Sequence, residues 1–247
     1  HDSGSNTFIF RLDQNDDLQV ENYTSGAYQL HLVTNAKFRD PSAWYHIVLS
    51  LDTTQDTAAN RAKLYVNGVQ QTSFSTATYP SEDADLKVNA AAAHRIGARA
   101  SDNYFDGYMA EVNFVDGTQL GPTSFGETKN GIWIPIDTSG LTFGTNGFRL
   151  DFADNAVDAP TSEGTEDTDN IGSDSSGEHN NWTSSGIVAS DCAMPDSPEN
   201  NFCTWNGLFR GGEQSSSITA TSTLSNGNLE VSVPTNSFMG NTFRPIS

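Results

Sequence analysis

The chain has 247 residues, 35% of them hydrophobic, and its 21 Gly come with many Ser, Thr, Asn and Asp. Its formal net charge is −19, from 12 basic and 31 acidic residues, which excludes a basic nucleic-acid groove and disfavours an anionic membrane surface. No run approaches the roughly 18 apolar residues of a membrane-crossing helix, so we expect no membrane insertion. The length suits one large β-sandwich with an appendage, or two modest domains, and the frequent turn residues favour many short strands.

The first quarter of the chain reads as alternating strands. Residues 7–12 place apolar side chains at every second position, and residues 18–22 and 28–32 repeat this pattern. A turn at residues 40–42 then leads into WYHIVLSLD, residues 44–52, which is apolar or aromatic on both faces. This segment therefore predicts a central strand that is covered on both sides.

The next segments add hairpins and a further long strand. Asn67-Gly68 lies between β-branched and aromatic residues, which is a strong signal for a two-residue hairpin turn. Strand character resumes at residues 94–98, and residues 107–115 predict another long apolar strand after a turn at 102–106. Residues 132–136 predict an edge strand, because Pro135 cannot donate to a ladder.

The second half changes in composition. Residues 141–152 predict a hairpin across 145–147, and between residues 150 and 209 there are twelve acids and no Lys or Arg. The stretch 159–170 has almost no apolar residue, so we expect a mobile or solvated loop. Residues 217–238 resemble a hairpin with its turn at Asn226-Gly227, and no closing strands are obvious after it.

These changes predict three regions. Residues 1–152 form a sandwich, or a larger one that uses strands up to about residue 190. Residues 153–190 form an acidic loop and connector, and residues 191–247 begin a second β unit. Cys192 and Cys203 are the two cysteines, and either they form a disulfide outside the cytosol or they are buried or free thiols.

Candidate binding residues lie mainly in loops. Asp102, Asn103 and Tyr104 combine an aromatic ring with amide and carboxylate groups between two predicted strands, which suits a sugar. Asp151 and Asp174 are candidate Ca²⁺ ligands, and the alternative for the Asp174 segment is a solvated Asx turn. His31, His46 and His94 read as core or sheet-face histidines, and Trp133 as a core residue rather than a platform. Trp182 is expected to cover a sheet face or an interdomain seam.

Three segments in order resemble the concanavalin A-like, laminin G-type jelly roll: DPSAWYHIVLSLD, ANRAKLYVNGVQ and RIGARASDNYFDGYMAEVNFV. The resemblance implies an all-β antiparallel jelly-roll sandwich with a C-terminal β extension. Many such domains hold a structural Ca²⁺ through an Asp at the position of Ala110. Neighbouring strand residues point to opposite faces, so Glu111 cannot simply replace it, and the sequence departs from the family at this cation site.

The same fold houses glycoside hydrolases, whose strand motif E-x-D-x-x-E places acids on one face. That motif is absent from the sequence, and a polar acidic loop does not supply the rigid acid that hydrolysis needs. No G-x-S-x-G nucleophile motif occurs either. We therefore expect no enzyme, with hydrolysis as the third and last interpretation.

The segments FGETKNGIWIP, GLTFGTNGFRLDFAD, IGSDSSGEHNNWT and SDCAMPDSPENNFCTWN resemble a run in marine bacteriophage virion proteins, where a SPRY-like unit follows. This resemblance implies an extracellular virion surface protein of tail-fibre type that recognises a host, through a glycan. The alternative is a structural virion component such as a capsid decoration protein or a fibre spacer. Partners would be other virion proteins and further copies of the chain, with a trimer as the expected assembly.

Overall fold

A computed structural model describes residues 6–99, 102–158, 164–165, 167, 169–192 and 197–198, and beyond them the backbone of 204–205, 223–225, 230–232 and 245–246. The described strands are β1 (Asn6–Leu12), β2 (Leu18–Thr24), β3 (Ala27–Thr34), β4 (Ile47–Leu51), β5 (Ala62–Val66), β6 (Val69–Gln71), β7 (Phe74–Thr78), β8 (Ala98–Arg99), β9 (Asp102–Tyr104), β10 (Val112–Phe114), β11 (Gly126–Lys129), β12 (Ile132–Pro135), β13 (Phe148–Leu150), β14 (Thr204–Trp205), β15 (Thr223–Ser225), β16 (Glu230–Ser232) and β17 (Pro245–Ile246).

Helical structure in these residues is scarce. There is one short α-helix, α1 (Ala58–Arg61), and there are 3-10 turns at Lys87–Asn89, Pro122–Ser124 and Ala189–Asp191. No helix in the described part of the chain is long and apolar enough to span a bilayer. Because the described strand pairs are antiparallel, the predicted all-β antiparallel class is confirmed.

The first sheet has the strand order β1-β2-β3-β7. The predicted strands at 7–12, 18–22 and 28–32 are confirmed as its first three members. The turn between β2 and β3 uses Ser25 and Gly26, both at positive φ (54° and 86°). This left-handed geometry matches the twist of the two strands, and Gly adopts it without strain.

The second sheet has the order β4-β5-β6. Its β5–β6 hairpin turns at Asn67 (φ 48°) and Gly68 (φ 76°), as the sequence predicts. The described residues pair β4 with β5 alone, so β4 is an outer strand of this sheet and the prediction of a central strand is wrong. Both faces of β4 are nevertheless in contact with protein, because Ser50 Oγ donates to the Leu120 carbonyl at 2.7 Å while Leu49 packs on the core.

The core lies between the two sheets, where one apolar face of each packs on the other. Its buried members are Leu18, Val20, Leu30, Leu32, Ala62, Leu64, Val66 and Leu86. Asn22 is fully buried beside them, and its side-chain oxygen accepts from the Lys87 backbone N–H at 2.7 Å. This bond ties the loop that covers the core to the first sheet, and it satisfies a polar group that would otherwise be costly to bury.

Two predicted strand assignments need correction. Of residues 107–115, only Val112–Phe114 form a strand. The predicted hairpin at 141–152 is wrong, because β13 pairs with β10 instead of with residues 141–144. The turn at residues 143–147 instead packs against Asp116. The Asp116 carboxylate accepts from Asn146 Nδ2 at 3.1 Å, and the Asp116 N–H donates to the Phe143 carbonyl at 2.7 Å.

The predicted edge strand at 132–136 is confirmed as β12, paired with β11 and ending at Pro135. Trp133 holds this hairpin against the second sheet, since its ring lies directly over Gly68 and Gly126. A Cβ atom added to Gly68 would stand 2.4 Å from the ring, and one added to Gly126 would stand 2.6 Å from it. The interpretation of Trp133 as a packing residue is therefore confirmed.

The connector is attached to the sandwich. Asn180 Nδ2 donates to the Thr145 and Gly147 carbonyls at 3.0 and 2.8 Å, and the Trp182 ring packs on Phe148 with centroids 4.9 Å apart. Asn170 and Asp174 are buried. Most of the acidic stretch 159–170 lies outside the described residues, but its last residue belongs to this packed connector.

In the C-terminal part, β15 pairs with β16 and β14 pairs with β17. The hairpin predicted within 217–238 is confirmed, although its turn residues Asn226 and Gly227 lie outside the described residues. The pairing of β14 with β17 supplies a closing ladder that the sequence does not make obvious. The division into three regions stays a prediction.

Candidate functional site

A wide, open cleft of about 3360 Å³ is lined by strands β1 and β4, by residues 38–46 and by the segment 103–117. In the described part of the chain, β1 and β4 are the outer strands of the two sheets. The cleft therefore lies between the outer strands of the two sheets. It is the feature around which the candidate binding groups of the first 120 residues gather.

Large apolar side chains project into solvent along the lining segment 103–117. Tyr104 is 71% exposed, Tyr108 48%, Phe105 45% and Met109 38%. We call Tyr104, Phe105 and Tyr108 the aromatic rim. Exposed rings grouped on one loop are unusual on a protein surface and mark interaction sites.

Local backbone geometry positions the aromatic rim. The hairpin of β8 and β9 contains a bulge, and Asn103 adopts φ 52° within it. The Phe105 N–H donates to the Gly97 carbonyl at 2.7 Å, which anchors the chain directly after β9. The Phe105 ring then folds over Gly107, where an added Cβ would stand 2.7 Å from it.

The predicted binding residues Asp102, Asn103 and Tyr104 lie at this rim. They form β9 rather than the predicted turn, because the bulged hairpin with β8 extends through them. Asn103 and Tyr104 are exposed and line the cleft. For Asp102 the structure describes the backbone alone, so its role as a ligand-binding group stays a prediction.

His46 and Trp133 lie deeper in the cleft lining, with ring centroids 5.7 Å apart. His46 Nδ1 and Trp133 Nε1 are buried and have no hydrogen-bond partner among the described residues. Burial lowers the pKa of His46, opposed by the charge of Glu111. His46 is thus a neutral packing residue near neutral pH, in line with its interpretation as a core or sheet-face histidine.

The other two histidines also make structural contacts. The His31 ring stacks on Tyr28 at 4.3 Å on a sheet face. The ring nitrogens of His94 lie 2.8 Å from the carbonyls of Ala92 and Val88. Both positions agree with a sheet-face or packing role.

A second polar cluster surrounds Arg149 on β13. Arg149 Nε lies 2.8 Å from Glu111 Oε1 and 2.9 Å from Thr138 Oγ1, and Nη1 lies 3.3 Å from Asp151 Oδ2. Glu111 also accepts from Thr138 at 2.6 Å. Glu111, the residue after the calcium position of the resembling family, is therefore committed to an internal ion pair.

Asp174 is buried and serves as a backbone acceptor. Its Oδ1 accepts from the N–H groups of Arg149 and Ser176 at 2.8 and 2.9 Å, and its Oδ2 accepts from the Asn180 N–H at 2.8 Å. The bond to Ser176 is the Asx turn that the sequence offers as the alternative. Asp151 faces Arg149, and no group of three or more His, Cys, Asp or Glu among the described residues could hold a metal ion.

Of the two cysteines, only Cys192 lies within the described residues. Cys192 is half-buried, its Sγ lies 3.8 Å from the Val188 carbonyl, and burial raises the pKa of its thiol. Cys203 lies outside the described residues. The disulfide stays a prediction.

Sequence reasoning missed the contribution of Phe105 and Tyr108 to the aromatic rim. The run YFDGYM carries the signal, since Gly107 within it interrupts any strand and aromatic residues flank it. The predicted strand over residues 107–115 would have placed Tyr108 in a sheet. The structure begins the strand at Val112, which leaves Tyr108 in an exposed loop.

The architecture is that of a concanavalin A-like β-sandwich. Residues 1–120 match a laminin G-type family model, described as the concanavalin A-like lectin/glucanases superfamily. The matched part includes both sheets of the sandwich, the aromatic rim and most of the cleft lining. Searches of curated proteins and of solved structures found no match. A domain of this class is compatible with carbohydrate binding or adhesion.

Proposed function

We propose that the chain is a non-enzymatic surface protein of a bacteriophage virion, of tail-fibre type, that binds a host-surface glycan at the aromatic rim. The observation that carries the glycan part is the exposure of Tyr104, Phe105 and Tyr108 along one side of an open cleft. Aromatic faces stack on the apolar face of a pyranose, and the amide of Asn103 beside them suits sugar hydroxyls. The phage setting rests on the resemblance of the middle segments to virion proteins.

Charge supports a neutral or cationic glycan rather than an acidic one. The chain carries −19 at pH 7, so an anionic polysaccharide would meet repulsion that low salt strengthens. The hydrolase interpretation has less support, because Glu111 is held by Arg149 and Thr138. A general acid instead needs a proton that it can give up.

The test compares Tyr104→Ala with the wild-type chain on a glycan array and by calorimetry with the best-bound glycan. Stacking on one ring contributes about 1 kcal/mol, so we expect affinity to fall roughly five- to tenfold. Val188→Ala is the matched control, because Val188 is 55% exposed and lies outside the cleft lining. An array without any bound glycan contradicts the proposal.

The virion part has its own test. Antibodies against the chain are expected to label fibres in electron micrographs of the particles that carry it. Labelling of the capsid shell, together with normal host adsorption after deletion of the gene, would favour the structural alternative of a decoration protein or spacer.

A further inference from the structure

The first sheet turns one face toward the core and the other face outward. Because side chains alternate along a strand, residues next to the core positions of β1, β2 and β3 share the outward face. Tyr28 joins them although it lies two residues before the core residue Leu30, because a register shift between β2 and β3 pairs it with Tyr23. The strand register aligns Arg11 with Gln19, and Glu21 with both Ile9 and His31. We call the following residues the outer-face cluster: Arg11, Gln19, Glu21, Tyr23, Tyr28 and His31.

Tyr28 is held as a rigid, half-exposed ring in this cluster. It stacks on His31, with centroids 4.3 Å apart and an interplanar angle of 22°, and it meets Tyr23 edge-on at 5.0 Å and 71°. It is 45% exposed. His31 covers one face of the ring, and the exposed remainder is an apolar surface that a ligand could bind at little cost in side-chain entropy, since the ring is already fixed by its neighbours.

A buried ion pair lies beside the ring. Glu21 is only 7% exposed although it stands on the outward face, and Arg11 Nη2 lies 2.8 Å from its Oε1. The same Arg11 nitrogen donates to Gln19 Oε1 at 3.0 Å. Arg11 Nε is buried and has no hydrogen-bond partner among the described residues, whereas Glu21 Oε1 is held by the ion pair. The ion pair fixes the guanidinium beside the ring, and the Arg11 side chain is still 34% exposed, so its outer part can donate to a ligand hydroxyl.

We infer that the outer-face cluster is a second carbohydrate site, which takes a neutral sugar with its pyranose ring on Tyr28. The ring supplies the stacking surface, and the Arg11 guanidinium and the Gln19 amide supply hydrogen-bonding groups for hydroxyls, while the buried Glu21 holds the guanidinium in place. The charge of Arg11 is balanced by Glu21 and by Asp13, whose Oδ1 lies 3.8 Å from it. A neutral ligand therefore matches the site better than an anion. The inference rests on the proposed function for its ligand class, and it assigns that class a second site around Tyr28 and His31, which lie outside the cleft lining.

Two histidines allow the sites to be distinguished in one experiment on the unmodified chain. His31 contacts Tyr28, whereas His94 lines the cleft of the aromatic rim. The imidazole resonances of the five histidines are followed by NMR at constant pH, with assignment through His31→Gln and His94→Gln. The chain is titrated with three neutral hexasaccharides, of β-1,3-, β-1,4- and α-1,4-linked glucose.

A saturable shift of the His31 resonance with at least one of these sugars supports the second site. Movement of His94 alone overturns the second site and leaves the proposed function standing. If neither resonance moves at millimolar sugar, the second site is overturned, and the glycan array decides the proposed function independently.

Variants at Tyr28 complete the test. Tyr28→Ala removes the stacking surface and is expected to weaken the His31-detected affinity about tenfold, whereas Tyr28→Phe keeps the ring and stays within about threefold. Tyr104→Ala is expected to leave this affinity unchanged. Equal affinities of wild-type and a folded Tyr28→Ala chain would overturn the inference, and the NMR titration of the unmodified chain decides it if that variant does not fold.

Discussion

Single residues in this protein have effects that depend on what the fold places over them. Gly26 and Gly68 occupy equivalent positions in two hairpin turns, each at positive φ (86° and 76°). Beyond Gly26 an added Cβ meets nothing within 4 Å, whereas beyond Gly68 it meets the Trp133 ring at 2.4 Å. The two turns look alike in sequence, and only the second one is a packing contact.

Gly26→Ala and Gly68→Ala therefore separate backbone strain from packing. Gly26→Ala is expected to cost about 1 kcal/mol, the usual penalty of a Cβ in the left-handed region. Gly68→Ala carries the same penalty and displaces Trp133, which adds roughly 1–3 kcal/mol of overpacking. Urea unfolding measures both, and equal losses of stability would show that the Trp133 contact is not maintained in solution.

Asp17 links stability to pH. Its carboxylate accepts from Lys37 Nζ at 2.6 Å, and this bond is the main cause that holds the pKa of Asp17 below its ordinary value. The carboxylate is favoured in the folded state, so its contribution is fully present above the unfolded pKa near ~4. It is lost as pH falls through the lower folded pKa.

Asp17→Asn is expected to flatten the fall in the free energy of unfolding below about pH 4. At pH 7 the loss is roughly 1 kcal/mol or less, since the Lys37 side chain is 34% exposed and water screens the pair. Asp16→Asn is the control, because the Asp16–Arg39 pair is more exposed, at 45% and 69%. Melting curves from pH 3 to 7 measure both, and parallel pH profiles of wild-type and Asp17→Asn would refute the role of Asp17.

At the scale of elements, the connector behaves as part of the sandwich because its polar side chains replace missing strand partners. Asp174 accepts three backbone N–H groups, one of them from Arg149 on β13. Asn180 reaches the carbonyls on either side of the turn that precedes β13. Strand β13 has only three residues, and these side-chain bonds pair backbone groups at and next to it.

Asp174→Ala is expected to destabilise the chain by about 2–4 kcal/mol, because it leaves three backbone donors, one on β13 and two in the connector, without their acceptor. Glu178→Gln, at an exposed position of the same connector, is expected to stay within about 0.5 kcal/mol. Denaturant midpoints and amide hydrogen exchange at Arg149 measure the difference. Unchanged protection of the Arg149 amide in Asp174→Ala would contradict this account.

At the scale of the whole molecule, the sandwich and the connector share packing. The Trp182 ring lies on Phe148, and Phe148 stacks on Phe114 at 5.6 Å. The apolar contact thus runs from β10 through β13 into the connector. We therefore expect the folding unit to extend to about residue 190 instead of ending at residue 152.

Two truncated chains test this boundary. A chain ending at residue 152 loses the Trp182 ring and the Asp174 and Asn180 bonds, so we expect it to unfold several kcal/mol more easily than a chain ending at 192. Circular dichroism melts and calorimetry compare the two. Identical melting temperatures would restore the boundary at residue 152.

The sequence by itself determined the strands at 7–12, 18–22 and 28–32 and the hairpin at Asn67-Gly68, because alternation and turn chemistry are local properties. The packing role of Trp133 also followed from its apolar neighbours. Strand pairing was decided only by the tertiary structure: β13 joins β10 instead of residues 141–144, and β4 lies at a sheet edge. Short strands carry little intrinsic preference for a partner, so long-range contacts choose it. For the same reason the aromatic rim and the outer-face cluster, which depend on where loops end and which faces meet, emerged from the fold.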